Sequence, residues 1–597
     1  MDIKTLFPAY RLSKVDYLLG GLLLLFCYFS FFQSDIIVTG WNSLNFIFGN
    51  PLEFYENCKK VQGQGVRLLA NYPPSLFLIF ALWLYPFKLF GLLKTPFYFS
   101  PYLVYWLKAL TTLVYGFTGL IFYQVTQIYS TNKAWGTYAT WLWITSPLAI
   151  FSQFIFSQYD IFYVFLTLTG FLFFLKKNIF LASFLFGLAI TFKYFPFFVF
   201  IPLLLFFEKK FFKIFLCGIF FLAPMLLIQS LYGHSPAYVE GVMGFSAIGR
   251  VFLSFLNVGG LKVYYIFSIF TIISGICYFL NVKENDKNFA AYIFLFTSIF
   301  PFLFIMWHPQ WLLFITAPIM LTSALYSEES LSKFLFFDLM GMIVFVAFNS
   351  LIFQNNVDLT MFQGQLFNIH FDSIYSMGSL FKIFKGFSAN VYFSIFWGYL
   401  VLQCILKSKL LLVQMLNKNK NFYYKNIRIR YYMGIFIFLI PAGFLFFLNY
   451  KSADILVLNI AQDKIFGELI AGRTFEQIFI AKERNLKQVD LFLATFSRVN
   501  SKDIQLEILE NNRKKLAIIK RSAINVLDNG WESFKFPSLQ LQKGKTYLLR
   551  LTSPNSIVGN AITWCAATKP SYSNGHAIVD GVSQQADFSF KLRFEKT

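Results

Sequence analysis

Apolar residues occur in long runs up to about residue 449, whereas beyond that point they alternate with polar residues. A helix that crosses a bilayer needs about 20 predominantly apolar residues. Fourteen stretches approach this pattern, near residues 16–33, 75–93, 101–123, 134–152, 158–175, 179–193, 195–207, 211–231, 262–281, 288–306, 309–326, 334–354, 388–407 and 432–449. The pattern predicts a polytopic α-helical membrane domain over residues 1–450.

The basic residues predict how this domain crosses the membrane. Residues 407–430 (KSKLLLVQMLNKNKNFYYKNIRIR) contain seven basic residues and no acid, and the loops after residues 175 and 207 are also basic. Such loops are typical of the cytoplasmic side. If these basic loops and the amino terminus lie inside and the carboxyl terminus lies outside, the chain must cross the membrane an odd number of times. We therefore predict about 13 transmembrane helices, with one stretch between residues 75 and 152 not crossing fully.

Three sizeable segments then face outward together with the tail. They are residues 34–74, 232–261 and 355–387. The first of these contains amphipathic stretches rich in aromatic residues and ends on Pro73 and Pro74. This composition is typical of helices that lie in the membrane interface. We expect residues 34–74 to form a first extracytoplasmic loop with interfacial helices.

The last 150 residues or so have a different pattern. Segments such as QVDLFLATF, IQLEILE, TYLLRLT and FSFKLRF alternate apolar and polar residues, and Asn, Gly, Pro and Lys turns separate them. Alternation of period two predicts β-strands, and several short strands in series predict a sandwich. We expect residues 451–597 to form an all-β, jelly-roll-type sandwich on the extracytoplasmic side.

Composition and charge agree with a membrane protein. The 597 residues are 57% hydrophobic and 13% charged, and the formal net charge is +22. A large positive charge can indicate nucleic-acid binding, but here much of it lies in the short loops beside apolar runs. Anionic membrane lipids are therefore the expected partner of the basic segments, and nucleic acid is not.

One carboxylate, Asp35, stands where the first apolar run ends (FFQSDIIVT). A solvated acid at a helix end is the simpler interpretation, because a carboxylate that reaches water costs little. The aromatic-rich segment that follows favours a functional acid at the membrane surface instead.

A second polar group opens an otherwise apolar span, in SQYDIFYVFL. Gln158 and Asp160 would lie on the same side of the membrane as Asp35, which indicates a shared water-filled cavity. The alternative is that Asp160 caps the amino terminus of the helix that it precedes.

Cationic and histidine side chains recur on the same side. Lys193 lies between two apolar runs in LAITFKYFPFF, where it could bind a phosphate or extend its amine to the interface. His308 lies between two spans in IMWHPQWLLFITAP, where it could bind phosphate or sugar or belong to an ordinary tryptophan belt. Arg250 is the main cation of the segment 232–261 and a further candidate phosphate ligand.

Together these residue types suit the attack of a sugar hydroxyl on an anomeric carbon whose leaving group is a lipid-linked phosphate. A carboxylate would act as the general base for the acceptor proton. Cations would stabilise the negative charge that develops on the departing phosphate. A lipid donor would explain why such a site lies at the membrane surface.

These segments resemble the GT-C superfamily of integral-membrane glycosyltransferases, which have an acid at the start of the first outward loop. Within it, NYPPSLF, SQYDIFYVFLTLTGFLFF, FLFGLAITFKYFPFFVFIPLLL and WHPQWLLFITAP are most similar to bacterial mannosyltransferases that use polyprenyl-phosphate-linked mannose or another hexose. The likeness covers residues 15–450, and the pair SQYD and FKYFP is its most specific part. It implies transfer with inversion on the outer face of the bacterial cytoplasmic (inner) membrane.

The resemblance also implies roles for single residues. Asp35 would be the catalytic base. Lys193, His308 and Arg250 would bind the donor phosphate. The sugar pocket would include a further set of polar and aromatic residues, Gln158, Tyr159, Asp160 and Tyr72.

The resemblance extends to cofactors and to the tail. Since the first loop has a single Asp and not the Asp-X-Asp of some relatives, a divalent metal is not favoured, and no cofactor is expected. The tail is similar to the galactose-binding-like sandwiches of bacterial membrane glycosyltransferases. Trp531, Trp564 and Tyr572 could stack on acceptor sugar there, although core packing is the favoured role of at least Trp531 and Trp564.

The resulting hypothesis is a hexosyltransferase whose partners are a polyprenyl-phosphate sugar, membrane lipids and an acceptor that is a glycan, lipid or protein. One alternative is a transporter or flippase of lipid-linked sugars, against which stand the absence of an obvious inverted repeat and the scarcity of acids within the spans. Another is a glycan polymerase or ligase, which would call for a larger outward loop rich in arginine and histidine.

Overall fold

The structure is a computed structural model that describes most of the chain between residues 12 and 595. The described residues are 12–31, 34–62, 70–93, 101–130, 133–155, 159–245, 248–280, 287–305, 307–325, 328–352, 389–408, 428–436, 439–440, 443–444, 447, 455–459, 464–496, 498–526, 528, 530–568, 572 and 574–595. The chain divides into two compact units, residues 1–449 and 450–597. The first unit is mainly helical and the second consists of β-sheet, as the change of hydrophobic period predicts.

The helices of the first unit follow the apolar runs. They are α1 Lys14–Ser30, α2 Ser34–Phe48, α3 Phe54–Gln62, α4 Pro74–Leu89, α5 Pro101–Tyr129, α6 Lys133–Ile144, α7 Pro147–Ile150, α8 Ile161–Leu175, α9 Ile179–Ile190, α10 Phe195–Phe207, α11 Phe211–Tyr232, α12 Pro236–Tyr238, α13 Tyr265–Phe279, α14 Lys287–Ile299, α15 Leu313–Ala324, α16 Glu328–Ile352 and α17 Ala389–Lys407.

Three of the described helices are long and apolar enough to cross a membrane, by length and composition. They are Leu103–Tyr129 within α5, Phe211–Tyr232 and Ala389–Lys407. Shorter apolar helices of 10–17 residues include α4, α8, α9, α10 and α13. Membrane localisation agrees with these helices, whereas the number of about 13 crossings stays a prediction.

The apolar stretch 134–152 is interrupted in the structure. Helix α6 ends at Ile144, and the hydroxyl of Ser146 then accepts a hydrogen bond from the backbone N–H of Ala149 at 3.2 Å. Pro147, with its fixed φ, occupies the first position of α7. Ser146 and Pro147 together start a new short helix, and a π-helical turn over Phe151–Ile155 follows it.

The segment after Asp35 forms a small folded layer with a core of its own. The rings of Phe54 and Phe77 lie 5.1 Å apart in a buried cluster to which Tyr55, Tyr232 and Tyr238 also belong. The Tyr55 hydroxyl donates to the backbone carbonyl of Tyr72 at 2.7 Å. This contact fixes the chain immediately before the Pro73-Pro74 entry into α4.

A short β-hairpin lies in the segment 232–261 and just beyond it, where the sequence pattern predicts no strand. Strands β1 (Phe255–Val258) and β2 (Leu261–Tyr264) pair antiparallel. Gly259 and Gly260 connect them with φ of 55° and 87°. A two-residue hairpin loop with positive φ at both positions is of the kind that glycine favours.

The second unit contains two antiparallel sheets. Its strands are β3 Ile455–Asn459, β4 Lys464–Ile465, β5 Phe475–Ile480, β6 Asn485–Ala494, β7 Asp503–Glu510, β8 Lys515–Ser522, β9 Gly530–Gln540, β10 Thr546–Thr552, β11 Thr563–Ala567, β12 Ala577–Val579, β13 Val582–Ser583, β14 Asp587–Phe588 and β15 Phe590–Phe594. One sheet has the order β13-β12-β5-β10-β7-β8. The other has the order β14-β11-β6-β15-β3, with β4 beside β11 and β9 beside β6.

Inward-facing residues of both sheets form one hydrophobic core. Phe475 of the first sheet stacks on Phe588 of the second at 5.4 Å between ring centroids, and both are fully buried. The next residue of β5, Glu476, is almost fully buried as well and pairs with Arg550 at 2.6 Å. Burying a carboxylate is tolerated here because the guanidinium neutralises it.

Candidate active site

Asp35 lies in the first turn of α2, just after the junction with α1. Helix α1 ends at Ser30, and its C-cap residue Phe31 has extended backbone. The side chain of Asp35 is half-buried, and the Thr39 hydroxyl donates to its backbone carbonyl at 2.8 Å. An anion in the first turn of a helix is favoured by the positive end of the helix dipole. A carboxylate is thus held at the membrane-domain surface without being removed from water.

Asp160 and Lys193 form a buried ion pair. Asp160 directly precedes α8, and Lys193 lies in the connection between α9 and α10. The Nζ of Lys193 donates to Oδ1 of Asp160, and the two residues are 7% and 2% exposed. Asp160 makes no side-chain capping hydrogen bond, and the lysine amine does not extend to a surface. Asp160 is thus the N-cap residue of α8, as the simpler interpretation predicts, but its side chain pairs with Lys193 instead of capping the helix. The interfacial lysine is wrong, because Lys193 is buried.

Aromatic rings surround the ammonium group of Lys193. The distances from Nζ to the ring centroids are 5.7 Å for Tyr72, 6.0 Å for Tyr159 and 5.1 Å for Trp311. Tyr163 adds a fourth ring at 5.8 Å. The faces of aromatic rings attract cations, and more so when the cation is desolvated. The rings and Asp160 together keep a lysine charged in a buried place.

Arg250 and His308 meet at the same tryptophan. The guanidinium carbon of Arg250 lies 5.7 Å from the ring centroid of Trp311, and the His308 ring lies 5.2 Å from it, edge to face. Trp311 therefore contacts all three predicted phosphate ligands, Lys193 included. Burial and the neighbouring charges of Arg250 and Lys193 lower the pKa of His308 to about 4, so the imidazole is neutral at pH 7.

The charge of Asp35 acts on the same group of residues. It interacts electrostatically with Tyr72, Tyr159 and Lys193. The rings of Tyr72 and Tyr159 are in contact, with centroids 5.0 Å apart. The structure thus brings together the carboxylate, the ion pair, both tyrosines and the Arg250–His308 group, which come from six separate parts of the chain. Gln158 lies outside the described residues.

A cavity of about 420 Å³ opens beside this group. Lys193, Tyr72 and Trp311 form part of its wall. Most of the remaining wall is apolar and aromatic, and includes Phe192, Phe195, Phe197, Phe198, Phe221, Phe245, Phe252 and Phe267. The cavity can therefore take an apolar chain against phenylalanine rings while a charged group lies near Lys193. The sequence signal that could have found it is the abundance of phenylalanine around Lys193.

Several buried polar atoms near the ion pair lack a hydrogen-bond partner within the described residues. They include Oδ2 of Asp160 and the indole N–H of Trp311. The amide oxygens of Gln153 and Gln310, on neighbouring turns, lack one too. Buried polar groups in proteins are normally satisfied. An acceptor and a donor beside the cavity thus suit a ligand with polar groups of its own. Tyr163, Trp311 and these atoms went unrecognised in the sequence because their neighbours come from distant segments.

The three aromatic residues predicted to stack on sugar in the second unit differ in exposure. Trp564 is fully buried and stacks on Phe588 at 4.4 Å, and Tyr572 is 7% exposed. These two rings therefore pack in the hydrophobic core of the second unit. Trp531 keeps exposed surface on the outer side of its sheet, with the Lys591 amine 4.2 Å from its ring centroid.

Among the residues with described placement, no group of three or more His, Cys, Asp or Glu side chains is arranged to hold a metal ion. The expectation that the protein needs no metal stays a prediction, to be tested with the purified protein.

Comparisons by sequence give no match, either to a protein family profile or to a curated protein. Among solved structures, the chain is similar to the arabinosyltransferase EmbB from Mycobacterium smegmatis, with a TM-score of 0.38 and 9% sequence identity. The likeness covers 91% of this chain and 65% of that chain. A TM-score of this size does not establish a common fold.

The lowered pKa of His308 predicts a pH dependence of stability. An unfolded histidine has a pKa of about 6.5, whereas that of folded His308 is about 4. Between these values the unfolded chain binds a proton that the folded chain does not, so stability falls as the pH is lowered through this window and is unaffected by His308 above it. Thermal unfolding of the detergent-solubilised protein should show this slope, and His308→Asn should reduce it.

The matched control is His234→Asn, which removes an exposed histidine and should leave the slope unchanged. An identical pH dependence in wild type and His308→Asn would contradict the assignment of a neutral, half-buried imidazole.

Proposed function

We propose that the chain is an inverting membrane glycosyltransferase that moves a hexose, of mannose or glucose type, from a polyprenyl-phosphate donor to an acceptor glycan, lipid or protein. The observation that carries the proposal is the grouping of Asp35 with Lys193, Arg250 and His308 beside an apolar cavity. Catalysis would take place on the extracytoplasmic face of the bacterial cytoplasmic membrane.

In the proposed reaction Asp35 is the general base. Its carboxylate accepts the proton of the acceptor hydroxyl while the oxygen forms a bond to the anomeric carbon. The bond between that carbon and the phosphate oxygen breaks, and its electron pair leaves with the lipid phosphate. Attack from the side opposite the leaving group inverts the configuration. The half-buried position of Asp35 supports this role, because the base must reach both the acceptor and the site.

The phosphate would bind to Lys193 and Arg250, which both lie close to the Trp311 ring. The donor phosphodiester carries one negative charge and the leaving lipid phosphate acquires a second. Two fixed cations therefore stabilise the product side of the reaction more than the ground state. His308, neutral at pH 7, would donate or accept a hydrogen bond without adding charge.

The lipid would extend along the phenylalanine-lined cavity. A polyprenyl chain is a branched hydrocarbon with double bonds, and burial against aromatic rings is favourable for it. The sugar would lie beside Tyr72, Tyr159 and Asp160, where the unpaired oxygen of Asp160 would accept a hydrogen bond from a sugar hydroxyl. Gln158 is proposed for the same pocket by its sequence position.

The test is a transfer assay with the purified, reconstituted protein. A panel of radiolabelled polyprenyl-phosphate hexoses is supplied with membrane-extracted glycan and lipid acceptors, with and without a chelator. Transfer from a lipid-phosphate hexose with inverted linkage supports the proposal, and unchanged activity in the chelator supports metal independence. Movement of labelled lipid across the bilayer without transfer would favour the transporter alternative. Use of diphosphate-linked oligosaccharides alone would favour a polymerase or ligase.

The second unit would hold the acceptor through Trp531. Ring contacts of this kind contribute about 0.5–1.5 kcal/mol, so Trp531→Ala should raise the acceptor KM by about 2- to 12-fold and leave the donor KM unchanged. Lys543→Ala, which removes an exposed ion pair of the same unit with Glu483, is the control. Equal acceptor KM values in both variants would remove Trp531 from acceptor binding.

A further inference from the structure

A buried lysine, Lys108 of α5, binds the end of the helix that precedes Asp35. It is 1% exposed, and its Nζ donates to the backbone carbonyls of Tyr28 and Phe31. The Tyr28 ring lies 5.1 Å from the amine. Within the described part of the chain no carboxylate pairs with Lys108. A buried charge without an acid is costly in a membrane domain and therefore needs a reason.

The reason is the shape of the junction between α1 and α2. Helix α1 has no basic residue in its last turn, and its final carbonyl groups carry the negative end of the helix dipole. Lys108 supplies hydrogen-bond donors for these carbonyls from a neighbouring helix. One of its two acceptors, Tyr28, belongs to the last turn, and the other, Phe31, is the C-cap residue. The amine therefore fixes the point at which the chain leaves α1.

Two tyrosines connect the same helices beside Lys108. The Tyr28 hydroxyl donates to the carbonyl of Tyr105 at 2.6 Å, and the Tyr105 hydroxyl donates to the carbonyl of Phe29 at 3.2 Å. The residues of α1 and its C-cap in these contacts, Tyr28, Phe29 and Phe31, lie four to seven positions before Asp35. The last turn of α2 is bound in a similar way, because Lys88 of α4 donates to the carbonyl of Ile47 at 2.6 Å. Lysines of other helices thus bind the end of α1, just before Asp35, and the far end of α2.

We propose that Lys108 is a positioning residue that fixes the α1–α2 junction so that the Asp35 carboxylate faces Lys193 and the tyrosines of the site. The effect of Lys108 on catalysis rests on the proposed function, whereas its effect on the position of Asp35 does not. Lys108 touches neither the cavity wall nor any of the proposed ligand-binding residues. Its removal should thus misplace the base and leave the donor site intact.

The first test is kinetic. Lys108→Met should lower kcat per folded protein at least tenfold while the donor KM changes by less than twofold. Lys209→Met is the matched control, because Lys209 also donates to two carbonyls at helix ends, those of Leu205 and Cys277, away from Asp35. It should keep wild-type kcat. If Lys108→Met does not accumulate, Lys108→Gln provides the comparison, since its amide still donates to a carbonyl but carries no charge. Equal kcat in the Lys108 and Lys209 variants would overturn the proposal.

The second test needs no sugar transfer and separates this inference from the proposed function. An Asp35→Cys variant places a thiol at the position of the carboxylate, and its alkylation rate by a soluble maleimide reports the geometry of the junction. The six native cysteines are buried, and the wild-type protein gives the background rate. Adding Lys108→Met should change the alkylation rate at least threefold, whereas adding Lys209→Met should not. An unchanged rate with Lys108→Met would overturn the positioning role even if the protein proves to transfer sugar.

Discussion

Replacing Asp35 with asparagine is expected to lower sugar transfer by about 10²- to 10⁴-fold, the range typical of a positioned general base. The substitution hardly changes the size of the side chain but removes the group that accepts the acceptor proton. Donor binding should stay close to that of wild type, because the phosphate contacts are assigned to Lys193 and Arg250 on other elements. The measurement is turnover of a radiolabelled polyprenyl-phosphate hexose in proteoliposomes, with donor affinity measured separately.

The structure provides a matched control for the Asp35 substitution in the same segment of the chain, residues 34–74. Glu56 accepts hydrogen bonds from the Ser235 hydroxyl at 2.8 Å and from the Ala237 backbone N–H at 3.0 Å, and so joins α3 to the segment around α12. Glu56→Gln therefore removes a structural carboxylate and should lower stability without changing turnover per folded molecule. If Asp35→Asn keeps near wild-type turnover, Asp35 is not the base. If both variants lose turnover equally, the loss comes from the fold of the segment.

The helical unit and the β unit follow from the hydrophobic period, because that period reports which faces of a segment are buried. In β6, for example, Val489, Leu491 and Leu493 alternate with polar or half-buried positions and are fully buried in the core. The hairpin over 255–264 was missed, because its strands are four residues long and largely exposed, so burial imposes no alternation. The Gly259-Gly260 pair was the available signal.

The candidate site could be predicted as a set of residues but not as an arrangement. Lys193 and Asp160 are 33 residues apart, and the sequence offered each a simpler local role. Only the packing of α8 against α9 and α10 brings the carboxylate to the amine. The contact of His308 with Trp311 is local, three residues apart, but for Trp311 the sequence indicated only a tryptophan belt around His308.

Lys108 shows a second limit of sequence reasoning. Its neighbours along α5 are apolar or uncharged, and in the sequence it is one lysine within a long apolar run. Lys108 binds the end of another helix, at residues that lie 77 to 80 positions away in the sequence. Helix ends are the least certain feature of a sequence-based assignment, so this contact could not be predicted.

The ion pair of Lys193 and Asp160 permits a prediction that separates stability from donor binding. Removing one partner of a buried pair leaves an uncompensated charge and costs about 3–5 kcal/mol. We therefore expect Lys193→Met and Asp160→Asn each to destabilise the protein by about this amount, and the double variant, which has neither charge, by less than the sum of the two. Unfolding in detergent, monitored for all four proteins, measures the coupling.

Donor affinity should follow a different order in the same four proteins. Asp160→Asn keeps the ammonium group and removes the carboxylate that competes with a phosphate for it, so the affinity for a polyprenyl-phosphate hexose should be equal to wild type or higher. Lys193→Met and the double variant lack the cation and should bind the donor at least tenfold more weakly, since a charge-assisted hydrogen bond contributes about 1.5–3 kcal/mol. Stability would then depend on the pair as a unit, whereas, of the two partners, only Lys193 would contribute to phosphate binding. If Asp160→Asn weakened donor binding as much as Lys193→Met does, the lysine would serve only the fold, and the phosphate would have to bind elsewhere.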